Sequence, residues 1–94
     1  MITVYVSITN QDGRLTPAQW AAYVADVHAA ILARATRLHA VWYTAPAAPA
    51  QGACWSLRID EQAGQALRAD LATIRAGYGQ PRLTWAETDT ILFP

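Results

Sequence analysis

Leu38-His39-Ala40-Val41-Trp42-Tyr43-Thr44-Ala45 and Ala53-Cys54-Trp55-Ser56-Leu57-Arg58-Ile59 are two aromatic-rich runs of strand length, and the connector between them holds Pro46, Pro49 and Gly52. Two β-prone runs separated by a proline- and glycine-bearing stretch read as an antiparallel pair joined by a long, partly stiffened loop. In the second run Ala53, Trp55, Leu57 and Ile59 alternate with Cys54, Ser56 and Arg58, which gives one apolar and one mixed face. The first run is ambiguous. Val41 and Tyr43 compete with Ala40 and Trp42 for the apolar side, and a slip of one residue exchanges them. We place Val41 and Tyr43 inward.

Outward from this hairpin, each side carries one strand and one helix. Residues 2–9 alternate with period two: Ile2, Val4, Val6 and Ile8 on one face, Thr3, Tyr5, Ser7 and Thr9 on the other, the pattern of a half-buried strand. Asn10 to Arg14 is a turn by composition. Thr16, Pro17 and Gln19 then supply an N-cap, a proline at the first helical position and the far end of a capping box, with Leu15 and Trp20 spaced for a hydrophobic staple. Trp20, Tyr23, Val24, Val27, Ile31 and Ala35 recur at helical spacing, so a helix is expected from Pro17 to about Ala35. On the other side Asp60 caps a second helix with the stripe Ala63, Leu67, Leu71, Ile74; Gly64 weakens it, Gly77 stops it, and Gly79 and Pro81 prevent continuation. A last strand is expected to start near Arg82, with Leu83 and Trp85 inward and Thr84 and Ala86 outward. Glu87 and Asp89 then fall on the inward side, which calls for a bulge near Thr88 or a strand that overshoots the sheet, leaving Thr90–Pro94 as a tail.

The order β-α-β-β-α-β, with two singly amphipathic helices and four half-buried strands, predicts an α+β domain spanning residues 1–94, helices on one side of an antiparallel sheet. It resembles the ferredoxin-like fold in architecture, over the whole chain and without any family motif. That fold serves many functions and decides none.

Composition narrows the classes. Seven basic residues, all Arg, balance seven acidic ones, so a nucleic-acid partner held by phosphate neutralisation is not expected. One cysteine, Cys54, makes no internal disulfide, and a cytoplasmic location is expected. The N-terminus lacks the pattern of a signal peptide and no stretch reaches membrane-spanning length, so no membrane partner is expected.

The motifs that suggest chemistry are weak on inspection. Ile8 to Gln19 resembles an EF-hand loop at Asn10, Asp12, Gly13 and Leu15, but Ile8 and Gln19 stand where that loop needs Asp and Glu; a turn feeding a capped helix accounts for it. Val4-Tyr5-Val6-Ser7 resembles the first-strand aromatic motif of RNA recognition motifs, yet the third strand exposes Cys54, Ser56 and Arg58 in place of aromatics. His28 and His39 are the only histidines, and neither has a Cys or carboxylate at ligand spacing; no metal and no cofactor is expected. Cys54 has no nucleophile motif around it, and the carboxylates Asp60-Glu61 and Glu87/Asp89 read as a helix cap and an exposed edge.

The outer sheet face is the informative group. By alternation it collects Thr3, Tyr5, Ser7 and Thr9 with Cys54, Ser56, Arg58, Thr84 and Ala86, a surface nearly free of charge where a solvated sheet face carries more. It suits burial against a second copy, another protein partner or a small molecule, with Tyr5, Ser7, Trp42, Arg58 and Thr84 as the binding residues to test. The leading expectation is a non-enzymatic binding or assembly module that dimerises through this face. The alternative is a small enzyme resembling the dimeric α/β-barrel isomerases and monooxygenases; that resemblance implies a site between sheet and helices touching Tyr5, His39, Trp42 or Arg58. A partner-specific inhibitor is a third class, for which no residue argues.

Overall fold

Four strands and two helices follow one another as β1 (Ile2–Thr9), α1 (Pro17–Arg34), β2 (Arg37–Tyr43), β3 (Gly52–Ile59), α2 (Glu61–Gly77) and β4 (Thr84–Thr88) in the computed structural model, which describes residues 1–10, 13–45 and 50–88. The strands form one antiparallel sheet in the order β2-β3-β1-β4, and the βαββαβ chain has the ferredoxin-like arrangement. The two strands with the cleanest alternation, β1 and β3, take the centre. Buried on both flanks, they gain most from an unbroken apolar face.

Ile2, Val4, Val6 and Ile8 from β1, and Ala53, Trp55, Leu57 and Ile59 from β3, pack with Tyr23, Val27 and Ile31 of α1 and Leu67 and Leu71 of α2. Full burial of each large aliphatic here is worth about 1.5–3 kcal/mol, so this layer dominates the fold's stability. The helices run antiparallel. Tyr78, which caps the end of α2, stacks on Tyr23 near the start of α1 with ring centroids 4.9 Å apart, while Arg34 at the end of α1 pairs with Asp70.

The helix starts behave as their caps require. Thr16 Oγ1 accepts from the Gln19 amide at 3.2 Å, and Gln19 Oε1 accepts from the Thr16 amide at 2.9 Å, closing the capping box. Asp60 Oδ1 accepts from the Ala63 amide at 2.9 Å. At the end of α2, Gly77 is still helical and Tyr78 is the cap. The left-handed residue is Gly79, with φ 66°, a conformation glycine adopts at little cost.

The ambiguous strand is resolved by a bulge. Arg37 pairs with Arg58 and Leu38 with Leu57, but Ala40 pairs with Ser56, so His39 is the extra residue. The bulge lets Leu38 and Val41 both face the core although three positions apart. Val41 lies opposite Trp55 and Tyr43 opposite Ala53, on the inward side, while Trp42 lies opposite Cys54 and faces out. Tyr43 is inward by register yet 58% exposed, since it ends an edge strand; it meets Trp55 edge-on at 6.4 Å.

The last strand starts slightly later than its sequence pattern suggests. It begins at Thr84, two residues after Arg82. Its register with β1 then runs without a shift to Thr88, which pairs with Thr3, so no bulge lies within β4 up to Thr88. Glu87 occupies the inward side opposite Val4 and remains exposed. An edge strand tolerates this because solvent reaches its flank, and Glu87 Oε1 also accepts from Trp85 Nε1 at 2.9 Å. Asp89, the tail Thr90–Pro94, and Pro46 and Pro49 of the hairpin loop lie outside the described residues.

Candidate functional site: the outer face of the sheet

Strand register turns the outer face into a grid. One end row reads Arg37, Arg58, Thr3, Thr88 from β2 to β4; the middle row reads Ala40, Ser56, Tyr5, Ala86; the next reads Trp42, Cys54, Ser7, Thr84. Gly52 and Thr9 continue it beyond Cys54 and Ser7. Each residue is placed by strand alternation and, on β2, by the bulge at His39. All five sequence-predicted binding residues, Tyr5, Ser7, Trp42, Arg58 and Thr84, fall on this face.

Two aromatic side chains stand out of it: Trp42 is 53% and Tyr5 40% exposed. Thr3 and Ser56, expected at the surface, are only 4% and 7% exposed. Among the described residues, no acidic residue occupies an outward position on any of the four strands, and the only charged ones there are Arg37 and Arg58. These two are direct cross-strand partners, an arrangement that disfavours the isolated sheet because like charges oppose each other. Neither has an ion-pair partner among the described residues.

At the opposite end of the face from the arginines, Ser7, Thr9, Trp42, Thr44 and Cys54 rim an open depression of about 340 Å³. Thr44 is held there by local hydrogen bonds: its hydroxyl accepts from the Gly52 amide at 3.1 Å and donates to Gln51 Oε1 at 3.1 Å. The depression therefore offers neutral oxygen acceptors, an indole face and a half-buried thiol. It can hold a cationic or polar side chain without burying a charge of its own.

Two further concavities lie on the other side of the sheet or at its rim. One of about 240 Å³ is bounded by Arg68, Ala72, Arg75, Leu83 and Trp85, with the Arg68 guanidinium 5.9 Å from the centre of the Trp85 ring. The other, about 220 Å³, is lined by Asn10, Leu15, Pro17, Trp20 and Gln51. The staple pair Leu15 and Trp20 thus meets around a gap. None of the three concavities reaches His39 or Arg58.

The remaining candidates have structural occupations. Asn10 Nδ2 donates to the Leu15 carbonyl at 3.0 Å and Asn10 Oδ1 accepts from the Leu15 amide at 3.1 Å, so its side chain clasps the turn into α1. Asp12 lies outside the described residues. Among those described, no three His, Cys, Asp or Glu side chains gather as metal ligands. His39 is the exposed bulge residue.

His28 has a role that sequence reasoning missed. Its Nδ1 accepts a hydrogen bond from Trp55 Nε1 at 3.0 Å. Trp55 is fully buried, and a buried indole N–H needs an acceptor. With Nδ1 accepting, the neutral ring carries its proton on Nε2. The signal was present in part, since Trp55 points inward and His28 flanks the helix stripe, but only packing joins positions 27 apart.

No helix among the described residues is long and apolar enough to cross a membrane. Set against known proteins, the chain matches no family model and no curated sequence.

Proposed function

We propose that this protein is a small binding and assembly module that forms a homodimer by packing the outer face of its sheet against that of a second copy. The observation that carries the reading is the chemistry of that face: Trp42 and Tyr5 project from it, and no acidic side chain stands among its strand positions. Tryptophan and tyrosine are the side chains most enriched at the energetic centres of interfaces, where charged residues are depleted. A formal net charge of zero removes long-range repulsion between copies.

A sheet four strands wide, at about 4.8 Å per strand, offers a face roughly 20 Å across. Two such faces bury on the order of 1,000 Å², the low end for specific association. Affinity then rests on the aromatic anchors rather than on area. The single Cys54, free of any disulfide, suits a reducing compartment, and we place the protein in the cytoplasm.

Gel filtration coupled to light scattering tests the reading. The wild-type chain is expected to run as a dimer at tens of micromolar, and Trp42→Glu as a monomer with an unchanged far-UV circular dichroism spectrum. A wild-type monomer at every accessible concentration overturns the proposal.

A further inference from the structure

We infer that in this dimer the two sheets meet with their strand ends exchanged, so that Arg37 and Arg58 of each copy lie over Trp42 and the adjoining depression of the other. The inference rests on the face-to-face dimer proposed above and specifies its geometry. Self-complementary packing of two sheets across a two-fold axis has two limiting forms. With the axis parallel to the strands, like rows meet, and Arg37 and Arg58 of both copies gather at one end of the interface. With the axis across the strands, rows at opposite ends meet. Arg37 then lies over Trp42 of the other copy, and Arg58 over its Cys54.

Charge selects the second form. The face carries two guanidinium groups side by side in one row and no carboxylate at any outward strand position. Bringing two such pairs together in a low-dielectric contact has no carboxylate at the described strand positions of that face to offset it. Exchanging the ends separates the pairs by about 13 Å, four residues of strand at roughly 3.3 Å each. It also gives each pair a matched surface. Trp42 presents an exposed indole face for Arg37, a favourable cation–π contact, and the depression beside Cys54 offers Ser7, Thr9 and Thr44 oxygens to Arg58. Arg37 and Arg58 have no ion-pair partner among the described residues, so neither contact requires breaking one. The chain already uses the same pairing within one copy, where Arg68 sits over Trp85. By symmetry the contact occurs twice.

Cross-linking tests this geometry. Packed sheets lie about 10 Å apart, beyond the Cα separation of a disulfide, so the reagent is a short bis-maleimide. The wild-type chain carries only Cys54, and the double variant C54S/R58C carries only a cysteine at position 58. Exchanged ends predict little covalent dimer from either chain alone and strong product from an equimolar mixture, in which Cys54 of one copy faces position 58 of the other. Covalent dimer from each chain alone, with no gain on mixing, overturns the exchanged geometry while leaving the sheet-face dimer standing. Light scattering on the same samples separates the two readings: a monomer, or a dimer that yields no cross-linked product in any sample, overturns the sheet-face dimer itself. Arg37→Gln provides a test of opposite sign without cysteines. Exchanged ends predict that it weakens the dimer, raising Kd about tenfold for two lost cation–π contacts. A tighter dimer, from relieved repulsion between like rows, overturns the inference.

Discussion

Tyr23 is fully buried, and its hydroxyl has no hydrogen-bond partner among the described residues, although Tyr78 stacks on its ring. Burial raises its pKa above the ordinary 10.0, with the nearby Arg75 opposing the shift. Tyr78 is raised as well, first by the hydrogen bond its hydroxyl donates to Asp26 Oδ2 at 2.6 Å. A raised folded-state pKa means that the folded chain favours the neutral phenol more than the unfolded chain does. That contribution is complete below about pH 10 and is lost as pH rises through the folded values. Urea midpoints are therefore expected to hold level from pH 8 to 9.5 and to fall above pH 10. In Tyr23→Phe the fall is expected to be shallower and stability at pH 8 equal or higher, by up to about 1 kcal/mol, since an unpaired buried hydroxyl is removed and the ring stack kept. A steeper alkaline loss in the variant would contradict this account. Trp55 was legible as inward from period-two alternation, but nothing along the chain linked its N–H to His28.

Within α2, Gly64 is a helical glycine facing the core, and sequence reasoning could count only its propensity cost. The packing adds that a Cβ built there would lie 3.6 Å from Ile59 Cγ2, 3.8 Å from Ile2 Cδ1 and 3.9 Å from Trp85 Cζ2, ordinary van der Waals separations. Gly64→Ala is thus expected to stabilise the fold by about 1 kcal/mol from helix propensity, read as a melting temperature raised by roughly 4–8 °C. A lowered melting temperature would mean that the helix–sheet spacing cannot admit the methyl group. Elements with local signals were legible in this way. Thr16-Pro17-x-Gln19 and Asp60 set both helix starts, because caps act within one turn. The edge strands were legible only in part. β2 keeps Leu38 and Val41 on one side only through the bulge at His39, and β4 starts at Thr84 because pairing with Ser7 of β1 begins there. Both are edge strands, held from one flank, where pattern constrains register least.

For the molecule as a whole, the proposed sheet-face dimer would couple stability to concentration, since a second copy would bind the folded chain alone. The urea midpoint of the wild-type chain is expected to rise as protein concentration increases from one to one hundred micromolar, and that of Trp42→Glu to stay constant. A concentration-independent wild-type midpoint would count against the dimer. Alternation alone determined that β1 has one apolar and one uncharged-polar face and that β3 sets an apolar face against Cys54, Ser56 and Arg58, and helix periodicity and caps placed two amphipathic helices between the strands. Those features follow from contacts within a few residues and from the two fixed periods of the backbone. Tertiary structure alone decided that Arg37 stands beside Arg58 at one end of the sheet while Trp42 stands beside Cys54 at the other. That arrangement depends on strand order, on register and on one extra residue at position 39, which are set by packing between segments far apart in the chain.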